Sequence, residues 1–178
     1  MAKSLNAKER ELFLSLSLPM IKETANEGIK GRLLFALRKR RVSDVDIKEA
    51  FPEELKRLND TVLREKPLFG FLDKRNYIFD YYFKYHNNEK KCRVVPALII
   101  GFKAERRNGI NVMIVKVRYP DGTVDNESVE VFPGIDFSIN LNDHVLTHNK
   151  TVCCKITSEE YKFIVANYFS QRAGGTAK

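Results

Sequence analysis

The hydrophobic residues of this chain change their spacing near residue 70, and this change limits the folds that are open to it. Before that point apolar side chains recur every three or four residues, which predicts amphipathic helices. After it they alternate with polar side chains over short stretches bounded by turn residues, which predicts strands. We therefore expect an α+β protein. Its parts are a helical subdomain (1–70), an antiparallel β subdomain with a C-terminal helix (71–171) and a flexible tail (172–178).

Capping signals indicate where the helices of the first half begin. Asn6 and Glu9 have the spacing of a capping box, in which each side chain bonds the backbone amide of the other residue. Pro19 suits the first turn of a second helix, because proline has no amide hydrogen to donate. Ser43 and Pro52 are similar start signals for two further helices. The expected helices cover residues 7–18, 19–41, 44–50 and 52–65.

Residues 77–86 fit two different periods. Alternation places Tyr77, Phe79, Tyr81, Phe83 and Tyr85 on one face of a strand, whereas a helix of the same length also gathers apolar side chains on one face. We prefer the strand. We expect the aromatic face to be core, because five exposed rings would form an aggregation-prone patch, and the alternative is a platform that stacks unpaired bases.

Tight turns divide the rest of the chain into short strands. Asn108 and Gly109 form a strong two-residue hairpin signal, and Pro120 opens a Pro-Asp-Gly turn. Thr157 and Glu160 have capping-box spacing and predict the C-terminal helix. Short strands with tight hairpins predict a small, partly closed barrel of the SH3-like or OB-like kind, and this fold assigns no function by itself.

The cysteines and the hydropathy of the chain indicate where in the cell the protein is found. The three cysteines are an odd number, and adjacent Cys153 and Cys154 cannot readily bridge each other, so we expect reduced thiols and a cytoplasmic protein. No run approaches the roughly 20 apolar residues that span a bilayer, so we expect no membrane partner.

Positive charge is the main indication of a partner. The net charge is +8. Residues 1–91 hold 20 Lys and Arg against 14 Asp and Glu, whereas the remainder holds 11 against 9. This balance favours polyanions such as nucleic acid. Basic residues cluster at a helix end and at a hairpin tip, where guanidinium groups can contact phosphates. The candidate nucleic-acid-binding residues are Lys30, Arg32, Arg38, Lys39, Arg40, Arg41, Lys103, Arg106 and Arg107.

Both basic clusters have simpler interpretations. Cations near a helix C-terminus complement the helix dipole, and a charged hairpin tip is often only solvated. A helix-turn-helix is a weak alternative, because Asp44, Asp46 and Glu49 stand where its recognition helix would meet the duplex.

No pattern indicates catalysis, a metal or a cofactor. His144 and His148 stand near the two adjacent cysteines, but their spacing matches no zinc motif. A group of acidic residues is more simply a solvated hairpin than a site: Asp121, Asp125, Glu127 and Glu130. Nucleotide-binding, hydrolase and protease motifs are absent from the sequence.

The sequence thus predicts a non-enzymatic regulatory protein that binds nucleic acid, DNA more readily than RNA, with weak sequence selectivity. The two basic clusters would form one continuous surface. The alternative is a protein–protein interaction module, an inhibitor or assembly factor of viral or other origin, that docks on an acidic protein partner.

Overall fold

The chain divides into two units, a helical unit (Met1–Arg93) and a barrel unit (Val94–Lys178). The computed structural model describes residues 5–23, 26–64, 76–88, 93–107, 109–131 and 138–169. Its mixture of helices and sheet confirms the α+β class. The third cysteine (Cys92), Asn108 of the predicted hairpin turn, the predicted helix end at residue 65 and the expected tail 172–178 lie outside the described residues.

The helices of the first unit begin where their capping residues stand. The Asn6 side chain accepts from the Glu9 amide at 3.0 Å and the Glu9 carboxylate accepts from the Asn6 amide at 2.6 Å, which confirms the capping box. Ser43 and Asp46 form a second box. The helices are α1 (Ala7–Leu16), α2 (Leu18–Glu23), α3 (Glu27–Arg38), α4 (Asp44–Ala50), α5 (Pro52–Arg64) and α6 (Asn76–Asp80). The last continues as a π-helical turn (Tyr81–Tyr85) and a 3-10 turn (His86–Asn88).

The single helix predicted over residues 19–41 is wrong. Helix α2 ends at Glu23 and α3 begins at Glu27. Asn26 is the N-cap of α3, and its side chain accepts a hydrogen bond from the Ile29 amide at 3.1 Å. Asparagine competes with the helix backbone for such bonds, so it starts a new helix more readily than it continues one.

The strand preferred for residues 77–86 is also wrong, and the helical alternative is confirmed. The expectation that the aromatic face is core is confirmed for Phe79, Tyr81 and Phe83, which are buried, whereas the Tyr77 side chain lies outside the described part of the structure. Tyr82, which was not on that face, is buried as well. Tyr85 is 38% exposed. Packing decided the conformation, because the helical period gathers these rings against α1.

Tyr82 connects this segment to α1 inside the core. Its ring lies 6.1 Å from the Phe13 ring, which in turn meets Phe51 edge-on at 6.2 Å. The Tyr82 hydroxyl is 2.9 Å from the Ser17 hydroxyl, and both groups are buried. Ser17 also donates to the Phe13 carbonyl at 2.9 Å. Aromatic packing and a buried hydrogen bond therefore join sequence-distant parts of the helical unit.

The described residues of the barrel unit form five strands: β1 (Val94–Arg107), β2 (Ile110–Arg118), β3 (Val124–Val131), β4 (His144–His148) and β5 (Thr151–Ile156). They pair in the order β1-β2-β3-β5-β4, and β4 returns to β1. The ring is completed only by a two-residue pairing of β3 with β5, so the barrel is partly closed. That pairing is parallel, and the other four strand pairings are antiparallel, as the sequence predicted for most of the sheet.

Valine, isoleucine and alanine side chains fill the barrel. Its core consists of Ala97, Ile99, Val115, Val117, Val129, Val131, Val145 and Val152. Gly109 and Gly122 have φ of +81° and +83°, as the two predicted turns require. The capping box of Thr157 starts α7 (Ser158–Ile164). This helix lies against β4, where the His144 and Tyr161 rings stack at 4.3 Å.

Tyr82→Phe should lower the free energy of unfolding of the helical unit by about 1 kcal/mol, because the buried Ser17 hydroxyl loses a partner while the ring packing remains. Chemical denaturation followed by circular dichroism measures the change. Tyr161→Phe is the matched control, since its half-buried hydroxyl has no hydrogen-bond partner in the described part of the chain. Equal effects of the two substitutions would contradict the role of the Tyr82 hydroxyl.

Candidate nucleic-acid interface

The C-terminus of α3 carries the first basic cluster, and its backbone is a Schellman motif. The Arg41 amide donates to the Ala36 carbonyl at 3.0 Å, and the Arg40 amide donates to the Leu37 carbonyl at 2.9 Å. Arg40 has φ of +52°, the left-handed conformation that this position requires and that glycine usually supplies. This turn directs the chain from α3 towards α4.

Carboxylates hold three of the six predicted residues of this cluster. Arg32 donates to Glu49 at 2.6 Å and lies 3.1 Å from Asp46, so it connects α3 to α4. Lys30 pairs with Glu27 at 3.1 Å on its own helix. Arg40 lies 3.7 Å from the Glu11 carboxylate. These cations have structural partners, and a phosphate would have to displace them.

The other three residues of the cluster face solvent. The Lys39 ammonium lies 5.9 Å from the centre of the Phe35 ring, a cation–π contact. The side chains of Arg38 and Arg41 are exposed and have no hydrogen-bond or ion-pair partner among the residues that the structure describes. At this helix end, Arg38 and Arg41 are therefore the side chains most available to an anion.

The second cluster lies on a hairpin that extends beyond the barrel. Strand β1 pairs with β4 only over Val94–Leu98, whereas it pairs with β2 as far as Arg107. The part beyond Gly101 spans about 20 Å at roughly 3.3 Å per residue. The β1–β2 register shifts between Ile99 and Gly101, and such a bulge bends a strand and increases its twist.

The three predicted residues of the hairpin differ in their surroundings. Lys103 pairs with Glu105 at 2.8 Å, so its charge is partly balanced. Arg106 is exposed and has no carboxylate partner within the described ranges. Arg107 ends β1, and its side chain is outside the described part of the structure.

Two cations that sequence analysis missed lie on the same hairpin. Lys116 and Arg118 are exposed on β2, and neither has a hydrogen-bond or ion-pair partner in the described segments. They alternate with buried Val115 and Val117, so strand periodicity could have identified them. Lys116 pairs across from Gly101, and Arg118 pairs across from Leu98. The hairpin thus carries more accessible positive charge than its tip alone suggested.

The two basic clusters belong to different units. Arg38 and Arg41 lie in the helical unit, and Arg106, Lys116 and Arg118 lie in the barrel unit. Arg38 and Arg41 share one helix end, and Arg106, Lys116 and Arg118 share one hairpin. One continuous positive surface that includes both remains a prediction.

Asp121 and Tyr119, in the turn that follows β2, have local hydrogen-bond partners. Asp121 accepts from the Thr123 amide at 2.9 Å and from its hydroxyl at 2.6 Å, and these bonds lower the pKa of this exposed carboxyl group. Tyr119 lies 3.5 Å from Asp125, and burial followed by the Asp125 charge raises the pKa of its phenol. Within the described ranges, no group of three His, Cys, Asp or Glu is arranged to hold a metal ion.

Comparisons of this chain with protein-family models, with curated proteins and with solved structures found no match. In the parts of the chain that the structure describes, none of the helices is both long enough and apolar enough to cross a bilayer. The candidate interface therefore rests on the geometry of this chain alone.

Arg40→Gly should be more stable than Arg40→Ala by about 0.5–1 kcal/mol. Both substitutions remove the weak Glu11 pair, but only alanine keeps a Cβ at positive φ. Thermal and chemical denaturation of the two variants measure the difference. Equal stability would contradict the left-handed conformation assigned to residue 40.

His144 should make the free energy of unfolding depend on pH. We expect it to fall as the pH is lowered through the range just below 6.5, the ordinary pKa of histidine. Burial against α7 lowers the pKa of this imidazole, and the charge of Lys162 contributes, although Asp143 opposes them. In that pH range the unfolded chain therefore binds the proton more readily than the folded chain does. Denaturation at several pH values should show a smaller loss for His144→Gln, and an unchanged loss would contradict this assignment.

Proposed function

We propose that this chain is a non-enzymatic regulatory protein that binds nucleic acid, DNA ahead of RNA, with little sequence selectivity, through the β1–β2 hairpin of its barrel unit. The observation that carries the proposal is Arg106, which is exposed and has no partner among the described residues, on the part of the hairpin beyond the β1–β4 pairing. Lys116 and Arg118 add two accessible cations on the same hairpin. Phosphate contacts of this kind supply affinity without reading bases.

The barrel itself supports the proposal by analogy of fold. We assign it to the OB-like kind on its five strands and its partial closure. Barrels of that kind bind oligonucleotides on the face of strands 2 and 3 and with the loops after strands 1 and 4. In this chain the first of those loops is the basic hairpin tip, and the second is the turn at Asn149 and Lys150.

The helical unit would contribute a second, smaller contact. We assign this contact to Arg38 and Arg41. Carboxylates pair with three of the other predicted cations at the end of α3, and the Phe35 ring contacts the fourth. An unpaired guanidinium can donate two parallel hydrogen bonds to a phosphate. The proposal therefore keeps both sequence-predicted clusters but narrows each to its available side chains.

Salt-dependent binding tests this function. Fluorescence anisotropy with labelled oligonucleotides should show affinity that falls steeply with salt, because each phosphate contact releases counterions. Arg106→Gln, Lys116→Gln and Arg118→Gln should each reduce the log–log slope by roughly 0.7–0.9. Lys30→Gln is the matched control, since it loses the same charge from a side chain that Glu27 already holds.

Two results would overturn the proposal. One is the absence of binding to any oligonucleotide at low salt, which would make an acidic protein partner the better explanation. The other is an equal change of slope in Arg106→Gln and Lys30→Gln, because the hairpin would then have no special part in binding. The double substitution of Arg38 and Arg41 by Gln tests the helical contact in the same assay.

A further inference from the structure

An apolar groove runs along the hairpin beside the candidate cations. Ala104 pairs with Met113, and Phe102 pairs with the core residue Val115, so these side chains share the face that continues the barrel interior. Phe102 is 45% and Met113 is 49% exposed, and in the described ranges β4 pairs with β1 only as far as Leu98. The groove has a volume of about 500 Å³ and is lined by Phe102, Lys103, Ala104, Val112, Met113 and Ile139.

Hydrogen bonds hold the wall of this groove in place. Ile139 belongs to the connection that leads into β4. Within that connection the Asn142 amide donates to the Ile99 carbonyl at 2.9 Å, and the Ile99 amide donates to the Asp143 carbonyl at 2.9 Å. Asp143 also pairs with Lys155 at 2.7 Å. The segment that contributes Ile139 is therefore anchored to β1 and β5, and the groove volume lies within the roughly 300–1,000 Å³ typical of ligand pockets.

Charge indicates the chemistry of the occupant. Arg106 stands two residues beyond Ala104 on the same face of the hairpin and is exposed without a described partner. A ligand that fits both features has an apolar, planar part next to an anionic group. Single-stranded nucleic acid has this combination, whereas a duplex stacks its bases inside and presents mainly phosphates at its surface.

We propose that the groove receives an unpaired base of single-stranded nucleic acid, which stacks on Phe102 while Arg106 contacts a neighbouring phosphate. This inference rests on the proposed function and names its substrate class. The other aromatic side chains described next are less accessible to a base. Phe79, Tyr81, Tyr82 and Phe83 are buried, and the exposed Phe35 ring already meets the Lys39 ammonium. Phe102 has its ring at the groove and is close in sequence to an available cation.

Tryptophan fluorescence provides a direct test, because the chain contains no tryptophan. Phe102→Trp places a single reporter in the groove, and Phe35→Trp places one at an exposed ring of the helical unit as a matched control. The probes are a short oligothymidylate, an abasic oligomer of equal length, and a duplex. We expect oligothymidylate to quench the residue 102 reporter and leave the residue 35 reporter unchanged, whereas the abasic oligomer should quench neither while still binding.

Affinity measurements on Phe102→Ala complete the test. Oligothymidylate binding should weaken roughly 5- to 150-fold, the equivalent of the about 1–3 kcal/mol of one stacked base, while abasic and duplex binding should stay as in the unmodified chain. Phe102→Tyr should retain the affinity, and thermal unfolding confirms that each variant folds.

The inference is wrong if the abasic oligomer quenches the residue 102 reporter as strongly as oligothymidylate does. It is also wrong if Phe102→Ala weakens binding of both oligomers equally. Failure of the proposed function looks different, because then the abasic oligomer and the duplex would not bind to the unmodified chain at all.

Discussion

The unequal lengths of neighbouring strands determine what the barrel unit can present to a partner. Strand β1 has 14 residues, but β4 has five and supports only the first part of it. From Gly101 to Arg107, β1 pairs only with β2 among the described strands, and β3 pairs with β2 as far as Met113, so the hairpin tip forms without a third strand beside it. This arrangement exposes Phe102 and Met113, which would be core side chains in a barrel of equal strands.

Ion pairing separates structural from available cations. Arg32 binds two carboxylates of α4 and holds two helices together, so its charge contributes to folding. Arg38, Arg41 and Arg106 have no such partner in the described part of the chain, and they are better placed to neutralise phosphates. A cluster identified by net charge therefore contains side chains with different tasks, and only coordinates distinguish them.

Sequence signals that depend only on neighbouring residues predicted helix starts and turns correctly. Capping boxes at Asn6, Ser43 and Thr157, and left-handed glycines at Gly109 and Gly122, appear where the sequence predicted them. Their energetics depend on backbone amides three residues away or on one φ angle, so no distant contact is needed. Asn26 was missed as a cap because the apolar spacing of residues 19–41 concealed it.

The sequence by itself determined the α+β class, most helix starts, and the hairpin that carries Arg106, because periodicity, capping and turn chemistry are local. Tertiary structure decided the rest. Burial against α1 made residues 76–88 helical, although their alternation favoured a strand. Pairing with carboxylates outside α3 engaged Arg32 and Arg40, and β4 ended before the level of Phe102. These outcomes depend on which surfaces meet across long sequence separations, and no local pattern contains that information.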